Sequence, residues 1–336
     1  MIIKINYSNE RFIFTKKLKM KSKLLLLSLL LTSLFSFAQI DSTKVQFVAY
    51  WSIGDSYDFK VTKVKQQWKA GKQTKDEENS YTVNFKVVDS TATSYTIDWT
   101  FQNELLDNYK LPEKIAEKIE EYRFLKVQYK TSEVGDFLEI INWKEIGQKM
   151  NKMFDLIINA DSKTDKKKKE EIKVNMQQFK EMYSSKEGVE QLILKEIQYF
   201  HMPLGREYET AEPVYYEEDI PNIFGGDPIK ANGKLYFEAI DYEENFCILK
   251  NEMTLDPEDT KKTLTAVFKK MNLNDKEMSK ALETAVFKIE DNNTYEYYNI
   301  PGIPHRIEAI RELYIDINQE KGKRIDKTII ELIYEE

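Results

Sequence analysis

The sequence predicts an α+β protein made mainly of antiparallel sheet, a sandwich or a half-open barrel, with a helical segment at its centre. Three observations predict it: two alternating runs between residues 81 and 101, apolar residues at helical spacing between 143 and 200, and a return of alternation after Gly205.

In the first, Tyr81, Val83, Phe85 and Val87 alternate with Thr82, Asn84 and Lys86. After a polar turn, Tyr95, Ile97, Trp99 and Phe101 alternate with Thr96, Asp98 and Thr100. Successive strand side chains point to opposite faces, so a period of two describes an antiparallel pair with one apolar and one wet face. Such a sheet needs a cover.

The chain ahead of that pair divides at Ala38. Met20-Lys21-Ser22-Lys23 is a basic start, Leu24 to Leu34 an apolar run, and Ser36-Phe37-Ala38 a small-residue cut site before Gln39. These are the parts of a secretory signal peptide, with translation expected from Met20 and cleavage after Ala38. The apolar run is about half the ~20 residues that a bilayer crossing needs, so no transmembrane segment is expected in the mature chain. A first strand is read around Tyr57, Phe59 and Val61 after a turn at Gly54-Asp55, and the charged stretch from Lys72 to Asn79 reads as a loop.

Beyond Phe101, Leu111-Pro112-Glu113 opens a short helix, proline being tolerated in a first turn where its missing N–H is not needed. Phe124 to Lys130 and Phe137 to Ile141 form a hairpin around Gly135. Asn142 is placed to cap a helix carrying Ile146, Met150, Met153, Phe154 and Ile157 on one face. Two further helices are read over Asp165 to Tyr183 and Lys186 to Phe200, the second capped by Ser185 and ended by Pro203 and Gly205. The mature chain thus divides into a β-rich unit at 39–142, a helical segment at 143–204 and a second β-rich unit at 205–336.

The two β-rich units echo each other. Gly54-Asp-Ser-Tyr57 is answered by Gly205-Arg-Glu-Tyr208, and Phe85 to Asp89 by Phe237 to Asp241. Each unit has a helix started by a proline (Pro112, and Pro257 behind Asp256) and a glycine-centred hairpin (Gly135, Gly322). The echo reads as an internal duplication or as the ordinary recurrence of an antiparallel meander.

Composition narrows the function classes. From Gln39 onward 43 basic side chains face 56 acidic ones, a net charge of −13, and so acidic a surface disfavours nucleic acid as a partner. The basic run Lys166 to Lys169 is flanked by acids and reads as a solvated face. Cys247 is the one cysteine, so an exported chain has no internal disulfide and depends on its core, and Cys247 reads as a small buried hydrophobe.

No motif fixes a reaction. His201 and His305 each sit by a proline turn without metal-ligand spacing, and read as loop histidines with local hydrogen bonds; no metal and no cofactor is expected. Acidic pairs such as Glu217-Glu218 and Glu243-Glu244 suit a two-carboxylate hydrolase only at a set separation. Trp51, Trp68, Trp99 and Trp143 are expected in the core, with an apolar cleft as the functional alternative, lined by Tyr95, Trp99, Phe101, Met150 and Met153.

The stretch Lys21 to Gln39 ending Phe-Ala-Gln, the G-D-x-Y opening at Gly54 and the strand–turn–strand around Asp89 resemble secreted proteins of flavobacterial type. The resemblance implies export, and brings no activity with it. It also implies O-glycosylation at Asp41-Ser42-Thr43 and Asp89-Ser90-Thr91. The expected protein is therefore soluble and exported, to the periplasm ahead of secretion, and non-enzymatic, binding a ligand, an apolar one among the candidates, or an envelope protein. A periplasmic carboxylate-dependent hydrolase and a structural or adhesive protein are the alternatives.

Overall fold

A computed structural model describes residues 43–102, 117, 119–159, 174, 177, 180–220, 227–270, 281–282, 284–317 and 320–334. Residues 43–336 make one compact unit. The signal segment, the helix read at Pro112, most of the helix read over 165–183 and the lysine run lie outside the described residues.

Eleven strands form one antiparallel sheet, and mainly antiparallel sheet is the fold. In chain order the strands are β1 (Lys44–Phe47), β2 (Ser56–Lys69), β3 (Lys72–Thr91), β4 (Ser94–Gln102), β5 (Phe124–Ser132) and β6 (Phe137–Ile140), then β7 (Arg206–Glu209), β8 (Val214–Ile220), β9 (Ile229–Asp241), β10 (Phe246–Leu255), β11 (Val286–Tyr298), β12 (Ile303–Ile317) and β13 (Glu320–Leu332). Their order in the sheet is β6-β5-β4-β3-β2-β13-β12-β11-β10-β9-β8, and β1 pairs with β7 as a separate ribbon. The last strand therefore lies beside β2, Ile330 opposite Val61, and joins both β-rich stretches edge to edge.

The central pair is β3 and β4, with Phe85 opposite Trp99 and Val87 opposite Ile97. Its first strand is longer than its alternation. Lys72 to Asn79, read as a loop, is strand paired to β2, with Lys65 opposite Glu77 and Gln66 bonded to Asp76 at 3.0 Å. A ribbon wet on both faces has no apolar period to betray it, so cross-strand polar pairs hold it instead.

Four described helices accompany the sheet: α1 (Trp143–Asn159), α2 (Lys186–Ile193), α3 (Lys195–His201) and α4 (Pro257–Lys270). The residues read as one helix from Lys186 to Phe200 break at Leu194. Ser185 does cap α2, accepting from Gly188 N at 3.0 Å, and Asp256 caps α4 through the N–H groups of Glu258 and Asp259. Asn142 turns its side chain to β5, accepting from Gln128 N and donating to Lys126 O. Gly322 lies within β13 opposite Ile315, so the hairpin turn falls before it. Gly135 does turn between β5 and β6, at φ +98°.

The sheet curls around α3. Phe200 and His201 are consecutive; the Tyr297 hydroxyl of β11 donates to Phe200 O at 2.8 Å, while the Tyr129 hydroxyl of β5 lies 2.8 Å from His201 Nε2. Six inter-strand steps separate β5 from β11, roughly 29 Å if the sheet were flat. Only a strongly curved sheet lets neighbouring residues touch both.

The segment from Val45 to Trp51 crosses the same inner face. Val45, Phe47, Ala49 and Trp51 are all buried and alternate with more open residues. Phe47 packs on Tyr208, Phe237 and Tyr297, and Trp51 packs on Phe85 and Tyr95.

Candidate functional site: the inner face of the sheet

The inner face has three zones, and register fixes which residues belong to each. Nearest α3 it is filled. Phe200 lies flat on Phe85 with ring centroids 5.1 Å apart and meets Phe59 and Trp99 edge-on. Of the residues expected to line an apolar cleft, Trp99 meets Phe200 directly. Trp99, Met150 and Met153 are buried, and Tyr95 and Phe101 pack against the same apolar cluster. The Tyr95 hydroxyl donates to Ala49 O at 3.4 Å. All five thus belong to, or pack against, one apolar cluster of protein side chains.

The middle zone is charged. On β12, β11 and β13 the inward residues at one level are Arg311, Asp291 and Asp326. Arg311 grips Asp291 through two bonds of 2.6 Å, and Lys63 pairs with Glu196 of α3 at 2.9 Å. Asp326 pairs with Arg324 at 2.7 Å. Lys195 also belongs here, its amine 5.8 Å from the Tyr199 ring. It is open to solvent but walled by protein, and that enclosure first, then Arg311, pulls its amine below the ordinary lysine range. Burial, followed by Asp291, raises the Tyr199 phenol.

The far zone is an apolar groove. Leu313, Ile315 and Ile317 continue the inward row of β12 below Arg311, and with Trp68, Ala281 and Gly322 they line a cavity of about 880 Å³. That volume lies within the ~300–1,000 Å³ of small-molecule sites. One wall is a second apolar cluster, Leu282, Ala285 and Phe287, joined by Leu264 of α4. Polar side chains complete the lining, among them Gln67, Lys69, Glu320, Lys321 and Arg324.

These groove residues were legible as strand, since Leu313, Ile315 and Ile317 alternate with Glu312, Tyr314 and Asp316. What alternation omits is whether the apolar side of a strand is covered along its whole length.

The histidines are apart in chemistry. His201 ends α3, buried; its Nδ1–H donates to Gly135 O at 2.7 Å and its Nε2 accepts from Tyr129, which fixes the tautomer. Burial holds it neutral, with its pKa lowered to about 4. His305 lies in an aromatic group on the other side of β12, 2.8 Å from the Tyr334 hydroxyl. Among the described residues no cluster of three His, Cys, Asp or Glu side chains is placed to hold a metal ion. A second cavity of about 680 Å³, beside the edge strand β8, is lined by polar groups including His201, Arg206, Tyr208 and Glu218. Glu217 and Glu218 are exposed neighbours on that strand, and Glu243 and Glu244 sit in the β9–β10 turn with their N–H groups on Asp241.

Fold and groove together define a β-rich protein with one large antiparallel sheet, whose inner face packs on α3 and carries an apolar groove beyond it. No family model matches the chain, and no curated protein matches it in sequence. No helix among the described residues is long and apolar enough to cross a membrane.

Proposed function

We propose that this is an exported, soluble protein of the cell envelope that acts by holding an apolar ligand, in a half-open barrel whose helical segment fills one end. The observation that carries this reading is the groove of Leu313, Ile315 and Ile317, an inward, half-buried apolar row that lines a cavity of about 880 Å³, with Ile315 and Ile317 also packed against the Leu282, Ala285 and Phe287 cluster. Apolar surface left facing water is unfavourable by about 25 cal/mol per Å², so a greasy ligand that covers it gains that energy. The signal-like segment from Met20 to Ala38 supports export, and the acidic surface keeps such a protein in solution.

The test is a titration with 1-N-phenylnaphthylamine, a dye that brightens on leaving water. The protein is expected to bind it saturably, and Leu313→Gln to weaken binding at least about tenfold, roughly 1.4 kcal/mol. Absent binding, or equal binding by the variant, would overturn the reading.

A further inference from the structure

The charged belt and the apolar groove are continuous, and among the described residues two inward cations of the belt, Lys195 and Lys65 opposite Asp326, have no carboxylate within 4.0 Å. Arg311 and Leu313 are two residues apart on one face of β12, as are Asp326 and Arg324 on β13, so groove and belt share a wall. Around the belt, Arg311 is matched by Asp291, Lys63 by Glu196 and Arg324 by Asp326. Among the described residues Lys195 has no carboxylate within 4.0 Å; Glu196 and Asp326 act on its amine from farther off, and the amine lies 5.8 Å from the Tyr199 ring. An ammonium that the protein partly strips of water, next to Arg311, gains more from an added anion than a free surface lysine does. From the level of Arg311 to Ile317 the inward row of β12 runs six residues, about 20 Å at ~3.4 Å per residue, which suits an extended alkyl chain.

We propose that the groove takes a single-chain amphiphile with an anionic head, its tail along Leu313, Ile315 and Ile317 and its head paired with Lys195. The proposal rests on the groove being a ligand site and adds the chemical class of the ligand. A carboxylate or a phosphate would serve, since either accepts from an ammonium.

The test compares dodecanoate, dodecanol and dodecyltrimethylammonium, three heads on one tail, by their displacement of 1-N-phenylnaphthylamine from the full protein. Dodecanoate is expected to bind at least about tenfold more tightly than dodecanol, and the cation most weakly. Lys195→Gln should bring acid and alcohol to parity and leave the alcohol unchanged. Lys72→Gln, at the exposed first residue of β3, should keep the preference. Parity in the unaltered protein, or a preference that survives Lys195→Gln, would overturn the head-group assignment while the groove reading stands. Failure of all three to displace the dye would overturn both.

Discussion

Tyr129 and His201, 72 positions apart, share a buried hydrogen bond of 2.8 Å in which the phenol donates to the imidazole. The other ring nitrogen donates to Gly135 O, so both nitrogens are used and a second proton has no place. The unfolded chain takes that proton near pH 6.5 and the folded chain only near 4. Between these values the unfolded state holds more protons. Stability from this source is therefore whole above pH 6.5 and is lost as pH falls toward 4, by roughly 3 kcal/mol at full extent. Urea midpoints measured from pH 7 to 4.5 should fall with pH, and His201→Gln should be less stable at pH 7 but fall less steeply. Equal slopes would mean that His201 is not held neutral.

Phe200 is the residue on which the two halves of the sheet converge. Its ring meets β2, β3 and β4 while its carbonyl accepts from Tyr297 of β11. Phe200→Ala should cost about 3–5 kcal/mol, the usual range for deleting a buried aromatic ring. Thermal or urea unfolding would read it. A loss under ~1 kcal/mol would mean that the sheet closes without the ring, against this packing.

Much of this fold could be read from residue order where one face is apolar and the other wet. The β3–β4 pair, the β5–β6 hairpin and α1 belong to that class, because Phe85, Trp99, Tyr129 and Met150 each bury on a regular period. Strand β11 did not, because its inward residues Asp291 and Asn293 are as polar as Glu290 and Asn292 between them. Alternation fails wherever the inner face itself is polar, and the belt is such a place. The Val45 to Trp51 strap did alternate, but its period is short and its polar positions include Val48 and Tyr50. The groove was hidden for another reason: its residues look like core, and only the placement of α3 and α4 decides which apolar rows are covered.

Asp291 is buried, and Arg311 reaches it from the next strand with two nitrogens. Asp291→Asn leaves the guanidinium beside Lys195 without its counter-charge. Because the Arg311 side chain is 44% exposed, water offsets part of that loss, and about 1–2 kcal/mol is expected. The double variant with Arg311→Met should recover some of it in urea unfolding. Full additivity of the two changes would show that the ion pair carries no coupling.

Cys247 gives a direct reading of how often the sheet opens. It lies on β10 opposite Tyr297, fully buried, and burial pushes its thiol up to about 12. The thiolate is the reactive form, so at pH 8 the folded protein should be inert to a disulfide reagent and one thiol per chain should react in urea. When opening and closing outrun labelling, the rate follows the population of the open state. Phe200→Ala should then speed labelling by on the order of 10²–10⁴-fold if its ~3–5 kcal/mol cost is global. An unchanged rate would place Cys247 in a part of the sheet that opens without disturbing Phe200, and would separate the β9–β11 end from the strands around α3 as a cooperative unit of its own.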